Sequence, residues 1–168
     1  NNRPTYDDRF VTVFPRMWSN QQQGHIDKYK DWGKIKGTPI RVTGPNGEVQ
    51  TLYKPKFSEN LRFFFRYQVG HMYFRYFFWN FVGRQNDIQG HGDDTQGNWI
   101  SGIKFIDKMH LGNQDEITDE AKNNPGRNTF FFLPLILGLV GLFFHINKHS
   151  KDSLVVALLF FMTGLAIV

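Results

Sequence analysis

The chain has 168 residues, no cysteine, a formal net charge of +5 and an aromatic content of 17%. The lack of cysteine excludes disulfides and thiolate metal sites, and the absence of any block of five or six like charges argues against a basic tail. Mean hydropathy is −0.42, although the residues after 128 are strongly apolar, so the average combines two segments of different character.

Residues 1–57 predict a polar α+β region. The stretch 10–14, Phe-Val-Thr-Val-Phe, predicts a short strand. The turn sequence at 44–47, Gly-Pro-Asn-Gly, lies between alternating apolar residues and predicts a β-hairpin over 39–53. Ser58 then fits the N-cap of a helix.

Residues 58–83 predict one long aromatic helix. No acidic residue occurs from Leu61 through Gln85. At 100° per residue, Arg62, Arg66 and Arg84 share one face, while Arg75 lies near the opposite side. An arginine at mid-bilayer costs at least about 2.5–3.5 kcal/mol, which argues against a lipid-facing span. Two interpretations stay open, an interfacial helix and a helix that lines a hydrated cavity.

The second half predicts loops followed by apolar helices. Residues 84–128 are polar, with a short helix near 99–110. Two uncharged apolar runs, 129–147 and 154–168, then predict a transmembrane hairpin. The basic loop between them, 148–153, is cytoplasmic by the positive-inside rule, which would place residues 1–128 on the periplasmic side of the inner membrane. The expected fold class is a mainly α, multi-pass membrane protein with an outer-face α+β region.

The arginines within and after the aromatic helix are the strongest candidates for binding. No acidic residue lies near them in sequence, and the guanidinium fork suits phosphate. The polar corner directly after the aromatic run could also hold a polar ligand, or could simply cap the helix. The candidate residues for binding a phosphate or a sugar are Arg62, Arg66, Arg75, Arg84, Asn86, Asp87 and Trp79.

Two other groups have candidate chemistry but favour a simpler interpretation. The loop carrying His91, Asp93 and Asp94, with His71 upstream, has residue types that bind metals but no defensible spacing, so a solvated loop is favoured. Asp7 and Asp8 beside Arg9 favour a local salt bridge over a catalytic carboxylate pair. We assign no catalytic residue and no metal, and we expect no nucleic-acid partner because no corresponding motif is present.

Several long motifs resemble a known family. The segments are FFFRYQVGHMYFRYFFWNFVGRQNDIQGHG, GNWISGIKFID and FFLPLILGLVGLFFH, together with the opening TYDDRFVTVFPRMWS. They resemble the interior of large bacterial multi-pass membrane proteins, long grouped as a domain of unknown function, that are similar to protein O-mannosyltransferases of the GT-C type.

The resemblance implies an internal segment of a glycosyltransferase. Such an enzyme would move a sugar from a polyprenyl-phosphate donor to a protein acceptor at the outer membrane face, with the lipid bilayer and the remaining helices of the parent chain as further partners. The catalytic acidic loop of that family lies upstream, so the resemblance assigns no catalytic role to Asp87 or Asp93, and the segment alone is expected to be inactive. The alternatives are a non-enzymatic structural or interaction module of a membrane assembly, and a lipid or glycan carrier.

Overall fold

The computed structural model describes residues 7–16, 19 and 21–167. These residues belong to two compact units, Asn1–Val69 and Gly70–Val168. The described chain is an α+β protein, and the elements of each unit are given separately below. The opening motif lies partly outside the described residues.

The first unit begins with a 3₁₀ turn at Asp8–Phe10, so the predicted strand over 10–14 is wrong. The turn forms because the Asp7 carboxylate accepts a hydrogen bond from the Arg9 backbone N–H at 2.9 Å. The same carboxylate pairs with the Arg9 guanidinium at 2.5 Å, which confirms the expected local salt bridge. This pairing holds the pKa of Asp7 at about 2.

A helix and a hairpin follow. Helix α1 spans Gln23–Gly33, strand β1 spans Thr38–Thr43 and strand β2 spans Val49–Lys54. The strands pair antiparallel from Thr38↔Lys54 to Thr43↔Val49, in agreement with the hairpin predicted over 39–53. The turn closes where Gly47 donates its N–H to the Gly44 carbonyl at 3.0 Å.

The aromatic segment is helical throughout, but its hydrogen-bonding pattern changes twice. Helix α2 spans Phe57–Phe63, a π-helix spans Phe64–Phe74 and helix α3 spans Arg75–Phe81. The N-cap of the first helix is Lys56, two residues before the predicted N-cap Ser58. In a π-helix each N–H bonds the carbonyl five residues back, so the angular spacing differs from 100° per residue. The predicted faces therefore do not continue from Arg62 to Arg84.

The second unit is organised around the end of α3. Strand β3, Gly83–Arg84, pairs antiparallel with strand β4, Asn128–Thr129, and Arg84 also bridges to Trp99. Helices α4 (Lys104–Leu111) and α5 (Asp119–Lys122) lie between these strands in sequence. Among the described residues of this unit, the buried apolar side chains are Trp79, Val82, Ile100 and Leu111.

A buried carboxylate fixes the start of α4. The Asp107 side chain is 4% exposed. It accepts hydrogen bonds from the backbone N–H and the hydroxyl of Ser101, both at 2.7 Å, and from the Gly102 N–H at 2.8 Å. These bonds hold residues 99–103 outside the helix, so α4 is shorter than the helix predicted near 99–110.

The predicted membrane-spanning hairpin is wrong. Helix α6 spans Leu133–Lys148 and helix α7 spans Ser150–Ile167. Among the residues described, no helix combines the length and the apolar character needed to cross a membrane. The expected fold class of a multi-pass membrane protein is corrected accordingly.

Local backbone geometry explains the shortfall. Phe131 and Phe132 have positive φ angles of 52° and 61°, which are incompatible with a right-handed helix. Strand β4 lies just before them in the chain, so α6 cannot begin earlier than Leu133. The predicted run 129–147 therefore loses its first turn. The 16 residues of α6 span about 24 Å, against about 30 Å for a bilayer core. The first four residues of helix α7, 150–153, are polar, so its apolar part is shorter than the helix itself.

The two C-terminal helices expose most of their apolar side chains. Phe143 is 73% exposed, Leu137 62% and Phe161 61%. Their connection is held by Ser153, whose hydroxyl donates to the His149 carbonyl at 2.9 Å and lies 2.7 Å from Nδ1 of His145. A large exposed apolar surface is typical of a binding site rather than of a surface that faces only solvent.

Candidate functional site

The polar corner after the aromatic run is built from two buried amides. Gln85 is 1% exposed and Asn86 7%. The Gln85 side chain donates to the Asp94 carbonyl at 2.8 Å and accepts from the Asn98 N–H at 3.0 Å. Asn86 Oδ1 accepts from the Gly97 N–H at 2.9 Å. Both amides therefore hold the loop 87–97 against the end of α3.

Arg75 supports the same loop from within. Its side chain is 4% exposed. The guanidinium donates to the carbonyls of His71 at 3.1 Å and Gln89 at 3.0 Å, and also to the carbonyl of Gly97. With three carbonyl partners, Arg75 holds this loop in place, and its role in binding phosphate or sugar stays a prediction.

Two hydrogen-bond donors at the end of α3 have no partner among the residues that the structure describes. The Trp79 side chain is buried, and its indole N–H donates to none of these residues. The Arg84 guanidinium lies over the Trp79 ring, 5.1 Å from the centroid, and its Nε is also unpartnered. Buried donors without acceptors are uncommon in proteins and are a recognised sign of an absent ligand or water.

Arg62 and Arg66 belong to the first unit. Arg62 donates to the Gly33 carbonyl at 3.4 Å, and Arg66 donates to the Trp32 carbonyl at 3.4 Å. The Arg66 guanidinium also lies 5.7 Å from the centroid of the Trp32 ring. The structure thus brings Arg75, Trp79, Arg84 and Asn86 together within one unit and places Arg62 and Arg66 in the other.

The acidic candidates have local roles. Asp87 is exposed. Asp93 accepts from Thr95 and Gln96, which closes its own turn; burial alone would raise the pKa of Asp93, but these hydrogen bonds outweigh it and lower that pKa. His71 Nε2 lies 2.6 Å from the His91 carbonyl. Within the described ranges, no group of three or more His, Asp and Glu side chains could hold a metal ion.

A polar pocket of about 360 Å³ lies between the amide corner and α5. We call it the amide pocket. Four of its residues carry side-chain amides, two carry hydroxyls and one carries a carboxylate. Its lining residues are Gln85, Asn86, Thr95, Gln96, Thr118, Glu120, Ala121 and Asn124.

A smaller pocket of about 150 Å³ has an imidazole stacked on an indole at its wall. The His110 and Trp99 rings are 4.2 Å apart at an angle of 18°. Asn98 Oδ1 accepts from the Trp99 backbone N–H and lies 3.0 Å from His110 Nε2. Because an amide oxygen can only accept, Nε2 carries the imidazole proton. Burial lowers the pKa of His110 below its usual range, against the opposing charges of Asp107 and Asp94.

An apolar groove of about 650 Å³ runs between α3, α6 and α7. The described residues that line it are all apolar: Phe77, Phe81, Pro134, Leu135, Gly138, Leu139, Leu142, Leu154, Val156, Ala157, Leu158, Phe160 and Phe161. A pocket of about 150 Å³ shares Phe77, Phe81 and Phe160 with the groove. This second cavity, the tyrosine pocket, adds polar atoms from Tyr73, Tyr76, Asn80 and Thr163.

The sequence reasoning missed Glu59. Its carboxylate is 6% exposed and accepts backbone N–H bonds from Lys56 at 2.8 Å, Lys36 at 3.0 Å and Gly37 at 3.2 Å. Burial alone would raise the pKa of Glu59, but these hydrogen bonds lower it below its ordinary value. Glu59 lies three residues after the N-cap Lys56, which is the capping-box position for a glutamate. This spacing could have identified Glu59 in the sequence.

Residues 1–65 match the sequence profile of a family of unknown function, DUF8416. This match covers less than half of the 168 residues and lies within the first unit. No curated protein and no solved structure matches the chain. These comparisons name no glycosyltransferase, so that function stays a prediction.

Proposed function

We propose that this chain is the part of a glycosyltransferase that holds a polyprenyl-phosphate-linked sugar. The observation that carries the proposal is the apolar groove, which shares three lining phenyl rings with the neighbouring tyrosine pocket. A cavity with a long apolar section and a short polar end suits an amphiphile. The resemblance to the protein O-mannosyltransferase-like family supports the same class of ligand.

The apolar section fits a prenyl chain. Its volume of about 650 Å³ lies within the usual range of ligand sites, about 300–1,000 Å³. The part of its lining that the structure describes has no polar side chain with which a sugar or a phosphate could bond. Burying apolar surface there contributes roughly 25 cal/mol per Å², so a chain of several isoprene units would gain enough to offset its ordering.

The phosphate belongs, in this proposal, at the end of α3. Arg84 follows the groove residue Phe81 by three positions in sequence, and among the described residues neither it nor Trp79 lines the groove or the tyrosine pocket, so the phosphate would lie beyond both cavities. Its unpartnered Nε and the unpartnered Trp79 indole N–H both require an acceptor. A phosphate oxygen is a strong acceptor and is favoured by the guanidinium charge. Arg75 and Asp87 have no part in this assignment.

Photoaffinity labelling tests the ligand class. The 168-residue chain would be irradiated with a benzophenone-bearing farnesyl monophosphate, and the labelled peptides mapped by mass spectrometry. We expect saturable labelling of peptides from α3, α6 and α7, displaced by farnesyl monophosphate more strongly than by farnesol and not by inorganic phosphate. Labelling that no prenyl compound displaces would overturn the proposal and favour the interaction module.

A pair of arginine variants tests the phosphate assignment. Arg84→Gln should remove the preference for farnesyl monophosphate over farnesol. Arg62→Gln makes the same charge change in the first unit and should keep that preference. Equal behaviour of the two variants would contradict the role given to Arg84.

The transferase activity needs the full-length parent protein. We expect in-membrane transfer from polyprenyl-phosphate-linked mannose to a protein acceptor, reduced in an Arg84→Ala variant of normal abundance. If prenyl phosphate binds but no sugar is transferred, the lipid carrier is the better description.

A further inference from the structure

The amide pocket shares no lining residue with the apolar groove or the tyrosine pocket. Its walls come from two parts of the second unit, the loop after β3 and the segment around α5. An inference about this pocket therefore stands whether or not the groove binds a prenyl chain.

The wall formed by the loop is rigid. The Gln85 amide is fixed at both ends by backbone groups. Asn86 Oδ1 is held by the Gly97 N–H, while its amide nitrogen donates to no group among the described residues. A nearly buried amide with its oxygen fixed presents an oriented N–H₂ donor to whatever occupies the pocket.

The chemistry of the lining selects the occupant. Among the described residues that line the pocket, none is a cation, which disfavours a phosphate or a carboxylate ligand, and none is aromatic, which disfavours a flat base. Amides, hydroxyls and one carboxylate offer donors and acceptors side by side. Hydroxyl groups on neighbouring carbons require this mixture, because each both donates and accepts.

We propose that the amide pocket binds a neutral polyhydroxylated ligand of about the size of one hexose. The volume of about 360 Å³ equals that of about twelve waters at roughly 30 Å³ each, enough for one monosaccharide with bridging water. Glu120 accepts hydroxyl hydrogens on one side, and Asn86 donates from the other.

The test uses two neighbouring carboxylates on α5. Glu120 lines the pocket, whereas Asp119 is not among the described lining residues. The Asp119 Oδ1 atom lies 3.9 Å from Lys122 Nζ instead. D-mannose, D-glucose and myo-inositol would be titrated into the ¹⁵N-labelled chain while the Asn86 side-chain amide signals are followed. We expect saturable shifts with a millimolar dissociation constant for at least one of these polyols.

The variants then decide the location. Glu120→Ala should weaken binding by at least about fivefold, the loss expected for one hydrogen bond, while Asp119→Ala leaves it unchanged. Ala121→Leu, which fills the pocket without removing a polar group, should abolish the shifts. Equal effects of the two alanine variants, tighter binding of mannose 6-phosphate than of mannose, or the absence of shifts with all three polyols would overturn the proposal.

Discussion

The imidazole of His110 lies flat on the indole of Trp99, with the ring centroids 4.2 Å apart and the planes 18° from parallel. Asn98 fixes the arrangement, because its Oδ1 accepts from the Trp99 backbone and faces His110 Nε2 at 3.0 Å. The ring is thus held in one neutral tautomer in a partly buried site. This geometry makes a direct prediction about pH.

His110 should make the second unit less stable in mild acid. Burial lowers its pKa in the folded chain, so the unfolded chain takes up a proton first as the pH falls. The stability it contributes is present above the unfolded pKa of about 6.5 and is lost as the pH falls through the lower folded value. Two-dimensional NMR titration should give His110 a pKa below the ordinary histidine value of about 6.5.

Urea unfolding provides the matching stability measurement. Between about pH 7.5 and 5.5, the free energy of unfolding should fall less in His110→Gln than in the unmutated chain. Denaturant curves of both proteins would be recorded across this pH range under identical conditions. A slope unaffected by His110→Gln would show that this ring does not titrate differently on folding.

Glu59 should be the carboxylate that most stabilises the first unit. Its two oxygens accept from the backbone N–H groups of Lys36, Gly37 and Lys56. Glu59→Gln replaces one acceptor oxygen with a donor that faces these N–H groups, so we expect a loss of about 1–3 kcal/mol in the free energy of unfolding. Exposed Glu48→Gln should cost less than about 0.5 kcal/mol.

The same carboxylate should contribute to acid unfolding. The pKa of Glu59 is lowered from 4.5, so its contribution is present above that value and is lost as the pH falls through the folded pKa. Glu59→Gln should therefore flatten the decline in stability below pH 4.5. An unchanged acid limb in that variant would contradict the assignment.

Gly83 should tolerate no side chain. It joins α3 to β3 with φ of 141°, and a Cβ there would lie 2.5 Å from the Asn128 carbonyl oxygen and closer still to that of Ile100. We expect Gly83→Ala to cost at least about 2 kcal/mol in the free energy of unfolding, because both backbone conformation and space oppose it.

Gly90→Ala is the matched control for this change. Gly90 also has a positive φ, 45°, but a Cβ added there would meet no atom within 4 Å. Its cost should stay near 1 kcal/mol, the left-handed backbone penalty alone. Thermal or urea unfolding that ranked the two variants equally would argue against close packing at Gly83.

Local chemistry made parts of the fold predictable. Gly44-Pro45-Asn46-Gly47 between alternating apolar residues specifies a hairpin, and the hairpin is present. The aromatic run specifies a helix, but nothing in its composition distinguishes α from π hydrogen bonding. The start of the first apolar run was mispredicted because the positive φ angles of Phe131 and Phe132 accompany the pairing of β4 with β3, a contact between distant residues.

The candidate site was predictable only in part. The compact polar group after Gly83 pointed to Asn86, which does line the amide pocket. The opposite wall comes from Thr118, Glu120 and Asn124, which lie more than thirty positions after Asn86 in the chain, and no local pattern links them to Asn86. Arg75 resembled a ligand-binding cation in sequence, but its carbonyl partners become apparent only when the loop is folded over it.

The most direct test of the lipid-linked ligand uses two glycines of α6. Gly138 lines the apolar groove and Gly141 does not, and a Cβ at either would meet no atom within 4 Å. Leucine at either position gains similar helix propensity, so only the filling of the groove differs. Displaceable labelling by the benzophenone-bearing farnesyl monophosphate should fall at least about tenfold in Gly138→Leu and persist in Gly141→Leu. Equal labelling of the two variants would contradict the account, because the groove would then not be where the prenyl chain binds.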